Sequence, residues 1–446
     1  MVFVTTTGFV SKMSVRFRSN AKRDESKKTN STTRLGILSF ETAKIMSRLV
    51  SLYKSLSNDE MLNMRRSIMK SQGVAYLVSN DEGLLLNLAC AQKLEDVDTI
   101  ASAVARLGRK CSDFALSRFD LVYTDLKLGV IDLGKMEYGS KDTERRIEKM
   151  ESLISATSSL YSALADFREL EISERKLNVW KNNNAAMQSQ KMNFDHFDQK
   201  IAFLKKQIRH FTQISLWRKT FDKSVGLMAS IVCIVYTRIC ILFGPYIPVL
   251  PPVSFRSSQL KDATSKTSKP HSVRFYTRKS LHFSPEDSRS VFNAAGPSTV
   301  GGSGLELRYA NLIVLAERYL DSGVTISDNA RECLYQMLPE NLKILVRSKL
   351  SKNLRSMDDD ESLAEGWRVA LKAIMGWLAP MAHDTLKWQL ERSFEKMRFD
   401  SKPSVWLLQT LHFSDKEKAE AAIAEVLVGL SCIYRYENRR LYEDYL

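Results

Sequence analysis

Glycine and proline are scarce, at 18 and 10 of 446 residues, and neither occurs between Ser140 and Val225. So little turn chemistry excludes a strand-and-turn fold and favours long helices. Paired cysteines are lacking too. Cys90, Cys111, Cys233, Cys240, Cys333 and Cys432 are scattered, with no CxxC unit and no histidine at ligand spacing. This argues against a disulfide framework and a zinc module, and fits thiols serving as small core residues in a reducing intracellular compartment. The run Gly301-Gly302-Ser303-Gly304 lacks the lysine and following hydroxyl of a P-loop, so it reads as linker or helix entry. His383 and His412 stand among apolar residues without a nucleophile at a telling distance, and His196 and His210 are too far apart for one metal. No catalytic residue, metal or cofactor is expected, and the chain reads as a non-enzyme.

What is abundant is positive charge. Lysine and arginine exceed aspartate and glutamate by 66 to 51, a formal net charge of +15. Such a surplus favours acidic partners: nucleic acid, anionic lipid or an acidic protein face. Residues 1–33 have no carboxylate before Asp24 and carry Arg16, Arg18, Lys22 and Arg23, so a disordered basic arm is expected, with an organelle-transit segment as the alternative. The Met1-Val2 start gives no expectation of N-myristoylation.

Residues 34–135 read as an N-terminal helical bundle. Phe40, Ile45, Leu49, Leu52, Tyr53 and Leu56 recur at helical spacing behind a Ser39 cap. Ser57 with Glu60, Ser79 with Glu82, and later Ser414 with Glu417 have capping-box spacing. Over 140–224, Ile147, Met150, Ile154, Thr157, Tyr161 and Leu164 form one heptad seam. A second runs through Leu177, Trp180, Asn184, Met187, Lys191, Phe194, Phe197, Ile201, Leu204, Ile208 and Phe211. The registers do not join, so a hairpin turning at Arg168–Lys176 is expected, with a stutter in one rod as the alternative. Asn184 and Lys191 are polar seam residues of the kind that fix register or partner.

Residues 225–252 hold the most apolar run, VGLMASIVCIVYTRICILFGPYIPVLPP. Ten of its first twenty residues are Val, Leu, Ile or Phe, worth about −3 to −6 kcal/mol on insertion, against about +2.5 to +3.5 for a central Arg238. Insertion is marginal, and Lys223, Ser230, Thr237 and Arg238 gather toward one side. A helix buried in the bundle or lying on an interface is favoured over a span, with the prolines as its exit. If it rests on a membrane, Arg238→Leu increases retention there.

A disordered basic linker is expected over 253–303, rich in Ser, Thr, Lys and Pro, its serines open to phosphorylation. Arg218, Lys219, Lys223, Arg238, Lys266, Lys269, Arg274, Arg278 and Lys279 are the candidate contacts for an acidic partner or anionic lipid. Residues 304–446 read as a C-terminal helical domain, with two helices around Pro380 and a long amphipathic helix through Ile423, Val426, Leu427, Leu430, Ile433 and Tyr434. The fold class is all-α.

Several long stretches carry a resemblance. LGILSFETAKIMSRLVSLYKSLS from Leu35 and GVAYLVSNDEGLLLNLA from Gly73 lie in the first half. TVGGSGLELRYANLIVLAERYL from Thr299, LYQMLPENLKILVRSKL from Leu334, GWLAPMAHDTLKWQLERSFE from Gly376 and LLQTLHFSDKEKAEAAIAEVLVGLSCIYRYE from Leu407 lie in the second. Together they resemble the plant PSK SIMULATOR (phytosulfokine simulator) family and its shorter relatives, which pair two domains of unknown function. Members of the simulator branch begin Met-Gly, so Met1-Val2 implies a relative outside it. The resemblance implies a growth-promoting role linked to peptide-hormone signalling, no catalytic residues, and a location in the nucleus or at the cytoplasmic face of the plasma membrane. The expected protein is a regulator or scaffold whose helices contact partner proteins or a second copy, with an anionic membrane surface as a further partner. The alternative is a nucleic-acid-associated nuclear protein, which the charge permits and no reading motif supports.

Overall fold

The computed structural model describes residues 34–132, 137–183, 191–248, 250–251, 295–321, 328–353, 361–392 and 405–443. Among these, every element is a helix or turn, apart from isolated bridges at Arg34–Thr220 and Thr299–Asp415. The all-α expectation holds.

The first half opens with α1 (Leu38–Ser55), α2 (Asn58–Asn63), a π-helical turn over Met64–Ile68, and α3 (Gln72–Leu77). Then come α4 (Glu82–Gly108), α5 (Phe114–Ser117) and α6 (Phe119–Lys127). Two long helices follow, α7 (Lys141–Asn183) and α8 (Lys191–Ile214), then a 3-10 turn at Leu216–Arg218 and α9 (Phe221–Phe243). The second half holds α10 (Glu306–Asp321), α11 (Asp328–Met337), α12 (Glu340–Asn353), α13 (Glu361–Arg392), a 3-10 turn at Leu407–Gln409, and α14 (Lys416–Glu443).

Capping follows the sequence once and departs from it three times. The Ser57 hydroxyl accepts the Glu60 amide, as its spacing predicts. At α4 the cap is Asp81, whose carboxylate accepts the Gly83 and Leu84 amides, while Glu82 pairs with Arg65 at 2.8 Å. At α14 Asp415 accepts the Lys418 amide and Ser414 is buried. In both places an aspartate nearer the helix start displaces the serine, because a charged acceptor also meets the positive end of the helix dipole. Ser39 lies inside α1, buried, and caps nothing.

The hairpin of α7 and α8 is present, but its turn is not at Arg168–Lys176, which lies within continuous α7. Glu, Leu, Arg and Lys there are good helix formers, so a slip in heptad register does not break the helix. α7 instead continues to Asn183, and α8 begins at Lys191. The pairing is antiparallel: Lys205 lies over the Phe167 ring, and the Leu216 amide donates to the Thr157 hydroxyl. Pro380 likewise fails to divide two helices, and α13 runs through it. It sits on the exposed side, where its missing N–H costs least, and Gly376 occupies the position its ring faces.

Two apolar cores result. The first joins α1, α4, α6, the first part of α7, and α9, through residues such as Leu49, Val97, Phe119, Met150 and Val232. The second joins α10, α12, α13 and α14 through Tyr309, Leu342, Leu371, Leu378 and Ile423. Each borrows from the other half: Trp406 and Leu408 enter the first, and Leu77 enters the second. Of the expected linker, 253–294 lie outside the described residues. Residues 295–303 are a turn bonded to the second half, where the Val300, Gly301 and Lys416 amides reach Ser414, His412 and Ser298 carbonyls. That explains the glycine run: a Cβ on Gly301 would fall 2.2 Å from the His412 ring, and one on Gly302 would fall 2.0 Å from the Gly296 carbonyl.

Candidate functional site

Three clusters stand out, and the first and third hold residues singled out by sequence. Arg238 is engaged within the protein. Its Nε and an Nη donate to the Leu56 carbonyl and the Asn58 side chain at 3.2 and 2.5 Å, and its guanidinium lies 4.6 Å over the Tyr138 ring. Tyr138 in turn donates to the Tyr53 carbonyl, and Tyr53 donates to Glu144 at 2.5 Å. Burial pushes the Tyr138 hydroxyl up to about 12, with Arg238 acting the other way. The cluster ties α1, α7 and α9 together. Thr237 also leaves the expected polar side: it is buried and donates to the Cys233 carbonyl. Although α9 is long and apolar enough to cross a bilayer, 78% of its most apolar window is packed inside the protein.

The second cluster is the junction of the two halves. Gln92, buried, donates to the Val405 carbonyl at 3.1 Å and accepts the Leu407 amide at 2.8 Å. Beside it Lys93 is wholly buried, its ammonium 4.2 Å over the Trp406 ring and 3.9 Å from Asp96. Burial lowers the Lys93 ammonium below its ordinary range, opposed by Asp96, Glu391 and Glu60. Burial raises the Glu391 carboxyl, which accepts the Val405 amide at 3.0 Å. Further along, the Leu77 and Tyr76 carbonyls accept the Asp415 amide and the Lys418 ammonium. Gly73 lies where a Cβ would meet Met381 Sδ at 2.7 Å, so α3 and α13 touch closely. The periodicity does not single out Gln92 or Lys93. The signal available was that Lys93 occupies the same helical stripe as Leu86, Cys90 and Val97.

The third cluster is basic and exposed. Lys200, Lys205, Lys206 and Arg209 are exposed on α8, Arg218 and Lys223 are exposed at its foot, and Lys219 is half-buried. Of the remaining candidates, Asn184, Lys266, Lys269, Arg274, Arg278 and Lys279 lie outside the described residues. Lys191 begins α8, with its side chain outside them. Among the described residues no group of three or more metal-ligating side chains converges.

These features define a class: an all-helical protein of two docked units, with a buried polar junction and a basic outer helix. A family model described as a domain of unknown function (DUF3475) matches residues 37–93, and one described as a protein of unknown function (DUF668) matches 299–387. Three curated relatives come from Arabidopsis thaliana. Protein PSK SIMULATOR 3 is 26% identical over 406 residues, covering 89% of this chain and 56% of that protein. Protein PSK SIMULATOR 1 is 24% identical over 407 residues, covering 89% and 55%, and Protein PSK SIMULATOR 2 is 23% identical over 425, covering 91% and 60%. The chain is a homologue of the PSK SIMULATOR proteins that pairs two domains of unknown function. It spans little more than half the length of these relatives. No solved structure matches it. The first matched domain ends at Lys93 itself, so the junction joins one family domain to a segment beyond the end of the other.

Proposed function

We propose that the chain is a non-enzymatic growth regulator or scaffold linked to phytosulfokine peptide-hormone signalling, acting through helical protein contacts. The observation that carries this is the collinear match to three PSK SIMULATOR proteins across about nine-tenths of the chain, spanning both halves. The junction supports it physically. Gln92, Lys93 and the 405–418 segment hold the two halves together, so outward-facing helices of both belong to one body. Its working place is the nucleus or the cytoplasmic face of the plasma membrane, and the α7–α8 hairpin is the contact arm, for a partner helix or a second copy.

The test is root growth with and without applied phytosulfokine in plants lacking this chain. A blunted response restored by the full chain is expected, and an unchanged response overturns the reading. The alternative, a nucleic-acid-associated nuclear protein, rests on the charge of +15 and the exposed cations of α8. It requires duplex binding at low salt that fades steeply as salt rises.

A further inference from the structure

Helix α8 has an outer side that the bundle leaves bare. Between Asp198 and Asp222 the chain has six lysines and arginines and no carboxylate. Among the described residues none of Lys200, Lys205, Lys206, Arg209, Arg218 or Lys219 is in an ion pair. Large apolar groups stand among these cations. Phe203 is 58% exposed and Ile214 44%. They are eleven residues apart, which at 3.6 residues per turn puts them within about 20° of one line along the helix. Lys200 and Lys206 flank Phe203 on either side of that line. The inner side of α8 is accounted for, with Leu204 buried and Lys205 over Phe167 of α7.

We propose that this face of α8, continued by Arg218 and Lys223, is a docking surface for a bilayer rich in anionic headgroups. The inference rests on the membrane-facing part of the reading above and names the surface that would serve it. Three observations choose this occupant. The helix of 24 residues is about 36 Å long, several Debye lengths at physiological salt, so a single carboxylate or short acidic peptide engages only part of it. The surface lies on the outside of a two-helix rod, suited to lying along a plane. Phe203 and Ile214 gain from entering a headgroup–acyl boundary, whereas a nucleic-acid duplex offers them no hydrocarbon.

The experiment is co-sedimentation of the full chain with phosphatidylcholine vesicles, with and without phosphatidylserine. Because residues 1–33 and 253–294 are also basic in sequence, the comparison between variants carries the result. The parent is expected to sediment with phosphatidylserine vesicles and be released by salt. The triple variant Lys200→Glu, Lys206→Glu, Arg209→Glu is expected to lose about tenfold or more in partitioning. Phe203→Ser with Ile214→Ser leaves the charge unchanged and is expected to lose about threefold. All these side chains are exposed, and an unchanged melting temperature confirms folding; if the triple variant fails to fold, Lys206→Glu alone replaces it. Equal vesicle binding by parent and charge-reversed chain overturns the proposal. So does loss on charge reversal, with the apolar pair dispensable and a DNA duplex displacing the vesicles, since that marks a nucleic-acid surface. Growth complementation reads separately. A triple variant that loses the vesicles and still restores the phytosulfokine response leaves the regulator standing and confines the lipid surface to a dispensable role.

Discussion

Helices α8 and α9 follow one another across a 3-10 turn and differ by one residue in length, 24 against 23, yet they have opposite environments. Among its described side chains, α8 buries Leu204 alone and shows water a row of cations with Phe203 and Ile214 among them. In α9, Val225, Met228, Ile231, Val232, Val235 and Ile239 are all wholly buried. The difference lies in neighbours. α9 has α4 and α1 on two sides and α6 nearby, whereas α8 has α7 and the adjoining turn. Each Val, Ile or Met side chain buried in α9 contributes about 1.5–3 kcal/mol. That makes α9 the axis of the first core, and leaves α8 as the helix free to meet something outside the protein.

Substitutions can break this contrast. The largest effect is expected in α9. Val232→Asp puts an unpaired carboxylate into the first core and should cost more than about 4 kcal/mol in urea unfolding, while Phe203→Ser on α8 should stay within about 0.5 kcal/mol. Equal effects would mean that α8 is covered.

Next is the junction. Gln92→Ala strands the Val405 carbonyl and the Leu407 amide and should cost about 2–4 kcal/mol, with faster amide exchange at Leu407 while the first core keeps its protection.

Lys93→Met should act in the opposite direction. An apolar side chain of similar reach over Trp406 should leave stability equal or raise it by about 1–3 kcal/mol. The sign of its pH dependence follows from burial. The folded Lys93 pKa lies below its ordinary 10.5, so burying this group penalises folding while the free ammonium is charged, and the penalty fades as pH rises toward 10.5. The advantage of Lys93→Met, read as a difference in melting temperature, should therefore shrink from neutral pH toward 10.5. A gap that widens would show that Lys93 is stabilised as a cation.

A more modest loss than at Val232 or Gln92 is expected at Arg238. Arg238→Leu removes the bonds to Leu56 and Asn58 and should cost about 1–2 kcal/mol without raising the chain's share in the membrane fraction above the parent's, because α9 is held inside the bundle.

Much of the architecture was legible from local pattern. The scarcity of glycine and proline, the apolar stripes and the Ser57 cap all belong to short stretches of chain, and each appears in the fold. Where two local signals competed, the stronger acceptor or the better helix former prevailed. Asp81 and Asp415 took caps from Ser79 and Ser414, and α7 ran past its heptad slip. The candidate site was less legible. Five of the basic candidates and Asn184 lie outside the described residues, and Arg238 found its partners 180 residues and more away in sequence, at Asn58 and Leu56.

The sequence by itself determined the all-helical class, the basic balance and the family resemblance, because these depend on composition, period and contiguous motifs. Only the tertiary structure decided which of two neighbouring helices is buried and where the halves meet. Burial of α9 needs α1 and α4 on either side, and the junction needs Gln92 and Lys93 to reach Val405, Trp406 and Leu407 more than 300 residues later. Contacts at such separations leave no periodic trace in either segment. What they did leave was a lysine on an apolar stripe, whose meaning depended on a tryptophan in the other half.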